Sequence, residues 1–149
     1  MRRRDRHPYV ADLTRTERVR DRRTVMPKAR KDSTPVTMDV PLAEDRSCTL
    51  ADLTVNFVTI REDHDLAPIL AKLPTGRCEC PHWGVVSRGR LTATYPGKGD
   101  EVYEAGDAFY MTPGHTAAAT AGTEFVQFSP SDLLAETEAA IAAAMASAG

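Results

Sequence analysis

From His82 to Phe128 the chain is cut into short segments by turn-forming residues, and that rhythm limits what it can fold into. Arg90 to Tyr95, RLTATY, sets Leu91, Ala93 and Tyr95 against Arg90, Thr92 and Thr94. That two-residue period belongs to a strand with one buried face. His82 to Ser87 precedes it across an Arg88-Gly89 turn, and PGKGD (96–100) is a hairpin loop leading to EVYE (101–104). Ala108 to Met111, Thr116 to Thr120 and Phe125 to Phe128 follow, separated by Pro113-Gly114 and Ala121-Gly122-Thr123. Upstream, LTVNFVTIRE (53–62) is rich in β-branched residues and predicts another strand. Short strands at this spacing predict an antiparallel sandwich or barrel.

Two segments break the β pattern. DHDLAPILAK (63–72) spaces Leu66, Ile69 and Leu70 as a helix would, and Pro68 limits that helix to a turn or two. Ser129-Pro130-Ser131-Asp132 reads as a capped helix start, and the Ala-rich stretch from Leu133 to Ala148 as the helix. Its apolar stripe is narrow: Leu134, Glu138 and Ile141 share a face, to pack on the barrel or on a second subunit. Asp32 to Asp45, with two prolines, reads as an extended lead-in.

Charge divides the chain. Residues 1–31 hold 12 Lys and Arg against 4 Asp and Glu, whereas residues 32–149 hold 7 against 17. A basic tail therefore precedes an acidic body. The expected organisation is a disordered tail over 1–35, a β-barrel over 36–130 and a C-terminal helix over 131–149. An acidic body argues against nucleic acid as a partner. No apolar run reaches the length of a membrane span, and the basic start lacks the apolar core of a secretory signal, so the expected location is the cytoplasm. Three cysteines in a reducing compartment read as thiols or metal ligands, not as a disulfide framework.

The densest chemistry lies in RCECPHWG, 77–84. In a strand, Cys78, Cys80 and His82 at i, i+2 and i+4 would share one face. His115, after Pro113-Gly114, is the candidate fourth member. Two thiolates and two imidazoles suit zinc or ferrous iron. A closed four-ligand set is the structural arrangement, and three ligands with an open position the reactive one. The competing reading is that these residues merely fill the barrel. Trp83, Tyr110 and Tyr95 are candidates to line a ligand pocket, with a dimer seam as the alternative for Trp83 and Tyr110. Cys48 and His64 receive no role.

AGDAFYMTPGHT (105–116) resembles the second signature of the cupins, G-x5-P-x-G-x2-H-x3-N, through Gly106, Gly114 and a proline one place late at Pro113. VVSRG (85–89) resembles the end of their first signature, with Gly89 as its closing glycine. The resemblance covers roughly Leu53 to Phe128. It implies an all-β fold, a double-stranded β-helix or jelly-roll barrel, often dimeric, with an internal ligand pocket. The ligand positions depart from the pattern: His82 stands where the family has its metal-binding Glu, Cys78 where it has its second His, and Ala117 where it has the last His. The metal-bearing face of that family points inward, which would place Cys78, Cys80 and His82 inside the barrel. The expected protein is a small cupin-like homodimer binding a divalent metal, a small molecule, or both, within the barrel. The alternative is a metal-free ligand-binding or sensing barrel.

Overall fold

Where the sequence alternates, the chain pairs. The computed structural model describes residues 27–147, and within them ten strands form two antiparallel sheets. The strands are β1 (Val36–Val40), β2 (Ala43–Leu50), β3 (Leu53–Ile60), β4 (His64–Asp65), β5 (His82–Arg88), β6 (Arg90–Tyr95), β7 (Gly99–Glu104), β8 (Ala108–Met111), β9 (Thr116–Ala119) and β10 (Glu124–Pro130). One sheet runs β1-β2-β3-β10-β5-β8 and the other β4-β9-β6-β7. Strands distant in sequence are therefore neighbours: β10 pairs with both β3 and β5, and β9 with both β4 and β6. The four-strand orders β3-β10-β5-β8 and β4-β9-β6-β7 are those of a jelly roll, so the fold is the expected double-stranded β-helix.

The barrel core comes from the inward face of each period-two strand. Val86, Leu91, Ala93, Phe109 and Met111 are buried together, with Tyr95, Tyr103, Ala119 and Phe125 packed against them. Gly84 belongs to this layer. A Cβ there would collide with the Phe109 ring and the backbone carbonyl of Val126, so the position has no room for a side chain. Gly89 lies at φ +77 between β5 and β6, where a Cβ would meet Thr123. Its place in the sequence pattern thus has a steric reason.

A second cluster closes one end. Helix α1 (Ala67–Leu70) is a single turn, as Pro68 requires, and α2 spans Ser131–Ala146. Leu70, Leu134, Cys78 and Cys80 are buried together, with Leu66, Ile69, Leu73 and Ile141 around them. Leu134 and Ile141, two turns apart on α2, therefore face the barrel. The helix starts without the expected side-chain cap. Pro130 holds the cap position, the Ser131 amide donates to the Asp52 carbonyl at 3.0 Å, and the hydroxyls of Thr54 and Ser131 lie 2.8 Å apart.

Two expectations change. The lead-in is not a lone extended segment: β1 and β2 form a hairpin extending the first sheet, and β2 pairs with β3 through the turn at Ala51-Asp52. Polar residues hid β2, whose sequence is AEDRSCTL. Within the segment expected as a tail over 1–35, Lys31–Ser33 forms a 3-10 turn. The Lys31 ammonium donates to Thr59 Oγ1 at 2.9 Å and lies 3.4 Å from Glu124, which ties the turn to β3 and β10. The rest of the tail reading, over 1–26, lies outside the described residues. No helix among the described residues is long and apolar enough to cross a membrane.

Replacing Gly84 with Ala is expected to cost roughly 1–3 kcal/mol, the usual penalty for overfilling a packed core. Urea unfolding measures it, and shortening Phe109 to Leu in the same chain should return part of the loss. An unchanged midpoint for Gly84→Ala would show that the layer yields.

Candidate functional site

The segment before β5 and the turn before β9 are tied together by their backbones. The Cys78 amide donates to the His115 carbonyl at 2.8 Å, and the amides of Gly114 and His115 donate to the Cys78 carbonyl at 2.8 and 3.3 Å. This isolated antiparallel bridge sets Cys78 beside His115. His82, first residue of β5, completes the group. One ligand atom from each of Cys78, His82 and His115 lies within 4.8 Å of the others, and all three residues are buried. His82 and His115 meet edge to face with centroids 5.3 Å apart.

Outer partners orient both imidazoles. His115 Nδ1 lies 2.7 Å from the Thr112 carbonyl, which can only accept, so Nδ1 carries the proton and Nε2 presents its lone pair. The Tyr95 hydroxyl accepts from the Thr112 amide at 3.1 Å, so Tyr95 braces the residue that holds His115. His82 Nδ1 lies 2.6 Å from Ser129 Oγ on β10, and His82 Nε2 lies 3.5 Å from Cys78 Sγ. Holding the far ring nitrogen while the near one stays free is how metal-binding histidines are aimed.

Burial sets the charge states. It lowers the His82 pKa to about 4, helped by the neighbouring His115, and it also pulls His115 below the usual imidazole range. Both rings are therefore neutral near pH 7, the form that binds metals. Burial raises the Cys78 thiol. A metal ion would have to displace that proton.

The cluster faces a cavity of about 300 Å3, which Cys78, His82 and His115 line together with Leu91, Met111, Leu134 and Ile141. The sequence brought four residues to this site, and the structure assembles three. Cys80 is as buried as its neighbours but sits in a bend before Pro81, not in a strand. Its thiol lies 3.5 Å from the Pro81 carbonyl, and the residue packs with Leu70 and Leu134, outside the three-ligand cluster. The shared face assumed for Cys78, Cys80 and His82 fails because β5 begins only at His82. Burial pushes the Cys80 pKa up to about 12.

The aromatic candidates separate as well. Trp83 and Tyr110 are directly paired across β5 and β8 and stack at 4.8 Å on the outer face, 42% and 47% exposed. Strand parity sends them away from His82 and Met111, so they do not line the cavity. Tyr95 points inward, with its ring 6.1 Å from that of His115, but it packs on the barrel core and is not among the residues lining the cavity. The cavity also holds residues that the sequence reading passed over, among them Asp45, His64 and Gln127. The usable signal for Asp45 was the alternation of Ala43, Asp45 and Ser47 opposite Ile60, Val58 and Asn56.

No family model and no curated protein matches the sequence. In fold the chain is similar to a protein of unknown function from Rhizobium leguminosarum bv. viciae 3841, at 18% identity over 70% of this chain and 95% of that one, with a TM-score of 0.52. It is also matched to an RmlC-like cupin from Shewanella frigidimarina NCIMB 400, at 16% identity over 69% of this chain and 89% of that one, TM-score 0.48. A third match is Fe(II) HppE, at 14% identity over 68% and 58% of the two chains, TM-score 0.47. At these identities the likeness is one of fold. The strand order is that of a small jelly-roll barrel, and its interior carries a candidate metal and ligand site.

Two buried groups should pull acid stability in opposite directions. Between pH 6.5 and about 4 the unfolded chain protonates His82 while the folded chain resists it, so stability falls as pH falls through that window. Burial raises the Asp45 pKa to about 6, so between pH 6 and 3.8 the folded chain holds a proton that the unfolded chain has lost, and stability rises as pH falls. In metal-free protein, Asp45→Asn should leave the His82 loss exposed, on the order of 3 kcal/mol at most. His82→Gln should leave the Asp45 gain, set against the loss that His115, also lowered by burial, contributes. Chemical unfolding at pH 7, 5.5 and 4 reads both, and parallel pH profiles for the two variants would contradict the assignment.

Proposed function

We propose that the barrel holds one divalent transition metal at Cys78, His82 and His115 and binds a small molecule in the adjoining cavity. The observation that carries this reading is the convergence of one thiol and two neutral, externally oriented imidazoles on a single point facing open space. A mixed sulfur and nitrogen set favours zinc or ferrous iron over magnesium or calcium. Three protein ligands leave a coordination position toward the cavity, the arrangement of a reactive site and not of a structural one. When bound, the metal would supply Lewis acidity at that position. The chain itself holds the ligands in register, keeps the imidazoles neutral and surrounds the site with apolar side chains.

A second reading has its own support. Cys78 and His82 already contact each other at 3.5 Å, so the cluster can close on itself in a metal-free ligand-binding barrel. Metal analysis of untagged protein purified without chelator separates the two readings. About one zinc or iron per chain is expected; Cys78→Ser and His115→Ala should lose most of it, and Cys80→Ser should keep it. Cobalt substitution adds a direct readout, because a thiolate charge-transfer band should vanish in Cys78→Ser alone of the two cysteine variants. Metal-free protein that takes up neither zinc nor iron on incubation would favour the second reading.

We further place the chain as a homodimer through the outer face of the first sheet. Trp83 and Val85 on β5 and Tyr110 on β8 are large, exposed and contiguous there, which is the composition of an interface centre. Light scattering should give twice the chain mass, and Trp83→Ser with Tyr110→Ser should shift it toward the monomer. The free state of all three cysteines supports a reducing, cytoplasmic setting.

A further inference from the structure

Three strands across the same sheet face from His82, the cavity ends on a different chemistry. Asp45 on β2 lines it, and Asn56 lies beside Asp45 on the inward face of β3, the face that Val58 and Ile60 give to the cavity. Asn56 Nδ2 donates to Asp45 Oδ2 at 2.8 Å. That bond leaves Asp45 Oδ1 and Asn56 Oδ1, both buried and both without a partner among the described residues. Asn56 is only 4% exposed, so water does not reach it freely. Buried acceptors left unsatisfied are costly, and two on one side-chain pair mark a place where something that donates belongs.

Charge narrows what that group is. Among the described residues no lysine or arginine lines the cavity, and none pairs with Asp45. On the helical side the charge that Asp45 feels is a second carboxylate, Glu138 on α2, at the exposed rim of the same cavity. An anion would meet two like charges here. A metal cation would find too few oxygens for its shell. A primary ammonium has three donors, offsets a carboxylate, and needs only two or three acceptors. The walls between are aliphatic, with Val58, Ile60, Leu134 and Ile141 offering apolar contact to the rest of a ligand.

We propose that this end of the cavity binds the ammonium group of a small amphipathic amine, with Asp45 and Asn56 as acceptors and Glu138 at the entrance. The proposal rests on the cavity being the ligand site, and it does not require the metal. Burial, opposed by the Asn56 bond and reinforced by Glu138, holds the Asp45 pKa near 6, so the group is mainly carboxylate at neutral pH and ready to accept. The amine supplies the counter-charge that the fold withholds.

Calorimetry with n-hexylammonium, n-hexanol and n-hexanoate at pH 7.5 tests this on the full chain, with metal content measured on each preparation. Hexylammonium is expected to bind at least about tenfold more tightly than the alcohol or the acid, as a buried charge-assisted contact should. Asp45→Asn should bring the amine to the level of the alcohol, and Glu138→Gln should weaken it by about two- to fivefold. Cys78→Ser should lose metal and keep the amine preference. Should Asp45→Asn fail to fold, the three-ligand comparison on the unaltered chain still decides. Equal or tighter binding of hexanoate overturns the proposal, as does loss of amine binding in Cys78→Ser, which would place the nitrogen on the metal. Absence of metal with amine preference intact would sink the metal reading alone.

Discussion

Strand β10 is the member on which the site depends. It lies between β3 and β5 and hydrogen-bonds to both, so it closes the first sheet over the barrel interior. It also carries Ser129, whose hydroxyl meets His82, and Phe125 and Gln127, which line the cavity. Immediately after it the chain turns into α2, bringing Leu134 and Glu138 over the cavity mouth. One strand thus supplies the pairing that makes the fold, an outer partner for the candidate metal site and the entry to the helix that bounds the pocket.

Much of this was legible in the sequence. From β5 to β10 the two-residue alternation and the Gly and Pro punctuation gave strand positions, because inward and outward faces there differ strongly in polarity. Gly89 and Gly114 sit at positive φ, so the pattern positions that named them also had a backbone cause. Periodicity failed where a strand is polar along most of its length, as β2 is between β1 and β3. In β2 the register is set by pairing with β3, which single-sequence patterning does not see. Asp45 was hidden for the same reason: a carboxylate in a polar stretch reads as surface until the partner strand shows that it points inward.

The site was half legible. The dense segment supplied Cys78 and His82, and the second segment supplied His115, the three residues that the fold brings together. Cys80 was misassigned because spacing by two was read as a continuous strand across Pro81, whereas proline offers no amide to a ladder and the chain bends there. Trp83 and Tyr110 failed by parity alone: once His82 points in, its neighbour points out. The outer supports, Ser129, Thr112 and Tyr95, are invisible to spacing arguments because they come from separate strands and turns.

The support that Ser129 gives to His82 spans 47 residues of chain, and the hydroxyl contact that seats α2 on β3 spans 77. Contacts of such separation require long loops to close before they return any favourable energy. The bridge between Cys78 and His115 spans fewer residues and can form while β10 is still unpaired. In a growing or refolding chain, a cysteine and a histidine can therefore meet before the second imidazole is aimed. Full donor geometry arrives only with the last strand, so an ion captured early would be held by an incomplete set, and mature affinity would report completed topology.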